Sequence, residues 1–289
     1  MTNKNNFFKI LSFSVVIIVI LLSIYFIQKP DKNLHIYFLN VGQGDSIYVR
    51  TMYDYDILID GGPDKSILSE LDQVMPFWDR NIDLLILTHP HSDHLFGLIE
   101  ILKRYNVNKI IMSDAIHTSN EYLEWLETIK EKNIQLEIID SAKSQEIDRQ
   151  TKLEFFWPKE SYKDKKVNDL NETSIVTKLV FDKFSVLFTG DIDQDVENKS
   201  INQSANLESN ILKIPHHGSK TSLSENFLDK VNPEIAIISA GEKNKFGHPA
   251  ELTLEKLNKL KIKIYRTDIN GRIEVISNGQ FFWTRLDSH

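Results

Sequence analysis

Residues 89–94 read HPHSDH, which places three histidines and one carboxylate within six positions. Neutral imidazoles and carboxylates are the ligands of zinc, manganese and iron, so a segment of this composition points to a metal site. Alternate residues of an extended chain point the same way, and His89 and His91 can therefore converge on one ion. Asp93 and His94 then fall in the turn beyond and can serve a second.

Three later segments share one grammar, a β-rich run that stops at a polar residue beside glycine or proline. Residues 185–191 end in Asp191, a carboxylate able to bridge two ions. Residues 211–218 end in the pair His216 and His217, and residues 235–241 lead on to His248. Taken singly each has a plain reading: Asp191 can cap a helix, and His248 can be a surface histidine. Together with residues 89–94 they describe a constellation, because the ends of neighbouring strands lie along one edge of a sheet sandwich.

The elements needed to bring these residues together are legible as short strand-like runs at 34–39, 46–50, 56–59 and 82–87, with glycine-rich turns at 42–44 and 61–63 between them. Helical periodicity is expected at 95–105 and 121–132, alternating with strands at 107–112 and 134–139. A second half repeats the style. Its strands are expected near 153–157, 174–181, 185–189, 211–214 and 235–239, its helices at 224–230 and 249–260, and its closing strands at 262–265, 272–276 and 280–285. Two similar halves predict an α/β fold in which two sheets pack face to face with helices outside.

Composition sets limits on the chemistry. The 289 residues are 41% hydrophobic and 26% charged, enough for a sizeable core. With 34 basic against 41 acidic side chains the net charge is -7, so the chain lacks the overall basicity of a general nucleic-acid binder. It has no cysteine, which excludes disulfides, thiolate ligands and a cysteine nucleophile. Any metal must be held by nitrogen and oxygen.

The N-terminal run 10–27 carries no charge and would span roughly 27 Å as a helix. It ends without the small residues of a signal-peptide cleavage site. The reading is an uncleaved single-pass membrane anchor over residues 1–30, followed by a catalytic domain over 31–289 on the extracytoplasmic side. Lys4 and Lys9 before the run, and Lys29 and Lys32 after it, are the charges that bear on orientation.

The order of six motifs, FLNVGQGD (38–45), IDGG (59–62), THPHSDH (88–94), TGD (189–191), PHHGS (215–219) and GHP (247–249), resembles the metallo-β-lactamase fold superfamily. Within it the chain is similar to the hydrolase domain of the DNA-uptake protein ComEC and its stand-alone relatives, over residues 34–276. One hydrophobic segment in place of the many that would form a DNA channel confines the resemblance to the hydrolase part. It implies an αββα sandwich. It also implies His89 and His91 as ligands of one ion, Asp93 and His94 as ligands of the other, and Asp191 as the bridge. His216 is the expected further ligand of the second ion, and His217 its neighbour or a proton donor. Many members supply another histidine before Asp191, where this chain has Asn171 instead.

Asp60 is expected to accept a proton from a ligand imidazole, and Asp45 to do likewise or to order the 42–44 loop. Two cations roughly 3.5–4 Å apart acidify water and stabilise an in-line displacement, so the expected nucleophile is a metal-bound hydroxide oriented by Asp93. His248, beside Lys243 and Lys245, is the candidate for protonating the leaving group or holding a phosphoryl oxygen. The reading is a metal-dependent phosphodiesterase or nuclease with two Zn or Mn ions and a phosphodiester substrate such as DNA. Alternatives are a phosphorylcholine-esterase-like envelope hydrolase and a non-catalytic binding or sensor protein of the same fold. The one non-substrate partner implied is the membrane, through residues 10–27; no protein partner is indicated.

Overall fold

Burial alternates along 34–38 and 151–157 and is continuous along 56–59 and 235–238, as in strands covered on one face or on both. The computed structural model describes residues 2–27, 31–201 and 206–287. The chain divides into two units, Met1–Asp31 and Lys32–His289. In the second unit the strands follow as β1 (Leu34–Phe38), β2 (Ile47–Arg50), β3 (Asp56–Ile59), β4 (Asn81–Leu87), β5 (Asn106–Met112) and β6 (Gln135–Ile138). These form most of one sheet. A second sheet is built from β7 (Lys143–Glu146), β8 (Thr151–Trp157), β9 (Val176–Phe181), β10 (Phe184–Phe188), β11 (Ile211–Lys213), β12 (Ile235–Ile238) and β13 (Lys263–Arg266). The chain then returns to the first sheet with β14 (Ile273–Ser277) and β15 (Phe282–Leu286).

Across the first sheet the order is β15-β14-β1-β2-β3-β4-β5-β6, and across the second β13-β12-β11-β10-β9-β8-β7. Strands β3 to β6 are mutually parallel, as are β10 to β13. Phe38, Val49, Ile59 and Ile86 of the first sheet share one apolar cluster with Phe155, Leu179, Val186 and Ile237 of the second. Two further clusters cover the outer faces. Leu71, Leu98 and Trp125 line the one against the first sheet, and Val196, Phe227 and Leu257 the one against the second. The result is a two-sheet α/β sandwich with helices on both sides, in keeping with the sequence expectation.

The helix after the HPHSDH segment begins earlier than its apolar periodicity implies. It spans Ser92–Arg104, with His91 as N-cap, so Asp93 and His94 lie in its first turn rather than before it. A helix at Ser66–Val74 was not expected from sequence; its apolar face, Ile67, Leu68 and Leu71, spans little more than one turn. Two glycines fix how closely the Ser92–Arg104 helix docks. A Cβ on Gly97 would come within 1.8 Å of the Gly61 carbonyl oxygen. At Gly44, where φ is +146°, a Cβ would come within 2.2 Å of the Asp93 carbonyl oxygen.

In the first unit a helix spans Thr2–Ile27. Among the described residues no helix is long and apolar enough to cross a membrane, so the anchor expected at residues 10–27, and the single-pass localisation derived from it, are not supported. The helix contains Ser12 and Ser14, whose hydroxyls donate to the carbonyls of Lys9 and Ile10. Lys29, used for orientation, lies outside the described residues.

Candidate metal centre

The site forms where parallel strands of both sheets end. Asp60 follows β3, His89 follows β4, Asp191 follows β10, the paired histidines follow β11, and Ser239 follows β12. Ligands gather at the carboxyl ends of parallel strands because the chain there leaves the sheet into loops or helix N-termini.

His89, His94 and His217 each have one nitrogen committed to the protein. The Asp60 carboxylate accepts the Thr88 backbone N–H at 2.8 Å and the Thr88 hydroxyl at 2.7 Å. Having donated its proton there, the Thr88 oxygen accepts from His89 Nδ1 at 3.1 Å. That leaves His89 Nε2 as a lone pair, 3.0 Å from His91 Nδ1. His94 Nδ1 lies 2.8 Å from Asp60 Oδ2, and His217 Nδ1 donates to the Ser239 carbonyl at 3.0 Å. The free faces of these rings turn inward. His94 Nε2 is 3.3 Å and His217 Nε2 3.2 Å from Asp191 Oδ2, and His217 Nε2 is 3.4 Å from Asp93 Oδ2.

One ligand atom each from Asp93, His94, Asp191 and His217 lies within 4.8 Å of the others. His94 Nε2, His217 Nε2 and Asp191 Oδ1 are buried without a hydrogen-bond partner. Buried polar atoms are nearly always paired, and three that converge without pairing have the geometry of ligands. The donor set of imidazole nitrogen and carboxylate oxygen fits a divalent transition ion. A second group, Asp45, Asp60 and His94, is equally close, but its members are already paired, Asp60 with His94 and Asp45 with Lys213. It supports the first.

Charge is distributed accordingly. Burial, and then the neighbouring His94, hold His89 and His91 below the ordinary imidazole value, so both are neutral. Burial also disfavours the charged forms of His94 and His217, yet Asp191 with Asp60 or Asp45 outweighs it and raises both. Burial likewise opposes ionisation of Asp93 and Asp191, and the facing histidines overcome it, holding both below the usual carboxylate range. Carboxylates kept ionised in a buried site are ready to bind a cation.

The metallo-beta-lactamase superfamily description matches residues 39–242 of this sequence. The chain belongs to the metallo-beta-lactamase superfamily. ComE operon protein 3 of Bacillus subtilis is 29% identical over 253 residues, covering 82% of this chain and 32% of that protein. Competence protein ComA of Neisseria gonorrhoeae is 30% identical over 250 residues, covering 85% of this chain and 32% of that protein. The chain thus spans about a third of the length of these ComEC-like competence proteins. Among solved structures, the metallo-beta-lactamase fold protein YhfI of Bacillus subtilis superposes with a TM-score of 0.55 at 12% identity, over 86% of this chain and 99% of that one. At that identity the likeness concerns the fold.

Within this superfamily fold the structure brings together His89, His91, Asp93, His94, Asp191 and His217. It does not bring in His216, which was expected as the ligand. Both paired histidines have left-handed backbones, φ 49° and 53°. This turn sends the His217 ring, not that of His216, toward Asp191. His216 instead lies edge-on to His248, 5.5 Å between ring centroids. His248 flanks the centre, 6.2 Å from the His217 ring. Burial, and then His217 and His216, push it down to about 4. Asn171 is buried with its side-chain oxygen unpaired. Ser174, just beyond it, accepts the backbone N–H of Asp191 through Oγ at 3.1 Å.

Sequence reading missed three participants: Thr88, the Ser239 carbonyl and Lys213. The first two are ordinary residue types whose role depends on partners far along the chain. Lys213 had a signal, a lone charge in the apolar run Ile211–Ile214, and it is fully buried.

Proposed function

We propose that this chain is a two-cation metallohydrolase acting on phosphodiesters. The observation that carries the reading is the convergence of ligand atoms from Asp93, His94, Asp191 and His217, the last three each with a buried atom that has no hydrogen-bond partner. His89 Nε2 and His91 Nδ1 would hold one ion. Asp93, His94 and His217 would hold the other, with Asp191 between them. Divalent ions bound there supply Lewis acidity, acidifying water and offsetting charge on a phosphoryl oxygen.

The remaining residues orient and select. Asp60 and the Ser239 carbonyl keep a proton on Nδ1 of His94 and of His217, so both rings present Nε2. Asp93 is part-exposed and can accept a hydrogen bond from an attacking water. His248 offers a neutral imidazole to a phosphoryl or leaving oxygen. Beside it Phe246 is 57% exposed and stacked on His248 at 5.8 Å, with Lys245 Nζ over the Phe246 ring at 5.2 Å. An exposed aromatic ring with a cation on its face suits a nucleotide. The similarity to competence proteins favours nucleic acid as the polymer.

The test is hydrolysis of single-stranded DNA and of bis-p-nitrophenyl phosphate with manganese or zinc, with His91→Ala in parallel. Cleavage of both substrates, lost in the variant, supports the reading. Cleavage of the small ester alone favours a phosphorylcholine-esterase-like hydrolase. Metal-loaded protein that cleaves neither favours the non-catalytic binding protein.

A further inference from the structure

Lys213 ends β11 in the middle of the second sheet, and its side chain is 0% exposed. Burying an ammonium group is costly unless it is paired and hydrogen-bonded, so its surroundings have to supply both. Ile211 faces the cluster between the sheets and Leu212 the outer one, which by alternation sends Lys213 inward with Ile211. There its Nζ meets Asp45 Oδ2 at 2.6 Å and the carbonyl of Ile214 at 2.9 Å.

Asp45 belongs to the other sheet's side of the site, in the glycine-rich loop between β1 and β2. Its backbone is held on both sides, its N–H donating to the Asp93 carbonyl at 3.3 Å and its carbonyl accepting from Gly62 at 2.8 Å. Its second oxygen, Oδ1, lies 3.3 Å from His217 Nδ1. That contact is out of line for a hydrogen bond, and Oδ1 has no other partner, so it acts on the ring by charge. The ion pair therefore spans the two sheets and ends on the one histidine whose far nitrogen faces Asp93 and Asp191.

The bond to Ile214 adds a second constraint. Ile214 immediately precedes the turn in which His216 and His217 are both left-handed. Such a conformation costs of the order of 1–3 kcal/mol for each non-glycine residue and persists only where neighbours over-determine it. Lys213 fixes the carbonyl at which the turn begins. Further bonds hold the same stretch: the Thr189 hydroxyl donates to the Lys213 carbonyl, and the His216 N–H to the Gly190 carbonyl.

We propose that the buried pair Lys213–Asp45 is a positioning device for His217, setting the affinity of the second cation site selectively. The inference rests on the two-cation reading above. In a merely structural role the pair would stabilise the fold and leave the two sites alike. In the positioning role its loss weakens the site of Asp93, His94 and His217 and spares that of His89 and His91.

The experiment compares the full-length protein with Lys213→Met, Asp45→Asn and the double variant. Metal stoichiometry and affinity are read by chelator competition with zinc, the site by the cobalt(II) d–d absorption spectrum, and the fold by thermal unfolding without metal. Wild type should bind two equivalents. Each single variant should bind one of them about 10- to 100-fold more weakly, as removal of a group that orients a ligand does, with an altered cobalt spectrum. The double variant should be no weaker than either single one. Should a single variant fail to fold, the double variant, which leaves no buried charge unpaired, carries the same expectation. Wild-type affinity for both ions in the double variant, or equal weakening of both, overturns the proposal. A wild-type protein that takes up no divalent ion overturns the underlying two-cation reading instead.

Discussion

Asp60 Oδ2 stands 2.8 Å from His94 Nδ1, across a gap between the end of β3 and the first turn of the Ser92–Arg104 helix. Both groups are buried, and the contact exists because Gly61 and Gly97 let the helix approach the loop. Asp60→Asn keeps the volume but removes the charge that raises His94 and places amide hydrogens where Thr88 and His94 require an acceptor. The expected result is a metal affinity about 10- to 100-fold lower at one site, measured by chelator competition. An unchanged affinity would remove Asp60 from this role.

The paired histidines separate cleanly by substitution with asparagine, which tolerates the left-handed backbone of both positions. His217→Asn should lose one metal equivalent and at least about 100-fold in turnover. His216→Asn should retain both equivalents. Metal analysis of the two proteins side by side decides it, and the opposite pattern would restore His216 as the ligand.

Phe246→Ala tests the substrate. Stacking of a base on an aromatic side chain contributes about 1–3 kcal/mol, so KM for a single-stranded oligonucleotide should rise about 5- to 100-fold. Cleavage of a small dialkyl phosphodiester should stay within about twofold, since that ester has no ring to stack. An equal effect on both substrates would place Phe246 in support of the loop rather than in contact with nucleotide.

Stability should respond to pH through Asp56, at the start of β3. It is buried and accepts the Tyr48 hydroxyl at 2.7 Å. Burial pushes its carboxyl up to about 7, although Arg50 and Tyr48 pull the other way. Because the folded value exceeds the unfolded one, the native state binds the proton more tightly. The contribution is complete below about pH 4, is lost as pH rises toward 7, and is flat beyond. In metal-free protein, wild type should lose on the order of 2 kcal/mol relative to Asp56→Asn between about pH 5 and about pH 8. Urea unfolding at the two pH values measures this, and parallel curves for the two proteins would refute it.

The sequence by itself determined the donor chemistry and most of the scaffold. HPHSDH put imidazoles and a carboxylate at one strand end by local connectivity alone, and the absence of cysteine restricted the ligands to nitrogen and oxygen. Short apolar runs bounded by turn residues announced strands such as β4 and β10, because a strand covered on both faces must be apolar nearly throughout. Tertiary structure decided what depends on contacts between distant residues. Which of His216 and His217 faces Asp191 follows from a left-handed turn that residue types do not reveal. The early start of the helix that carries Asp93 and His94 follows from its docking on Gly61. The pairing of Lys213 with Asp45 joins residues from opposite sheets. Periodicity reports which face of an element is buried; it does not report what a buried charge will meet there, since that is fixed only when the two sheets close on each other.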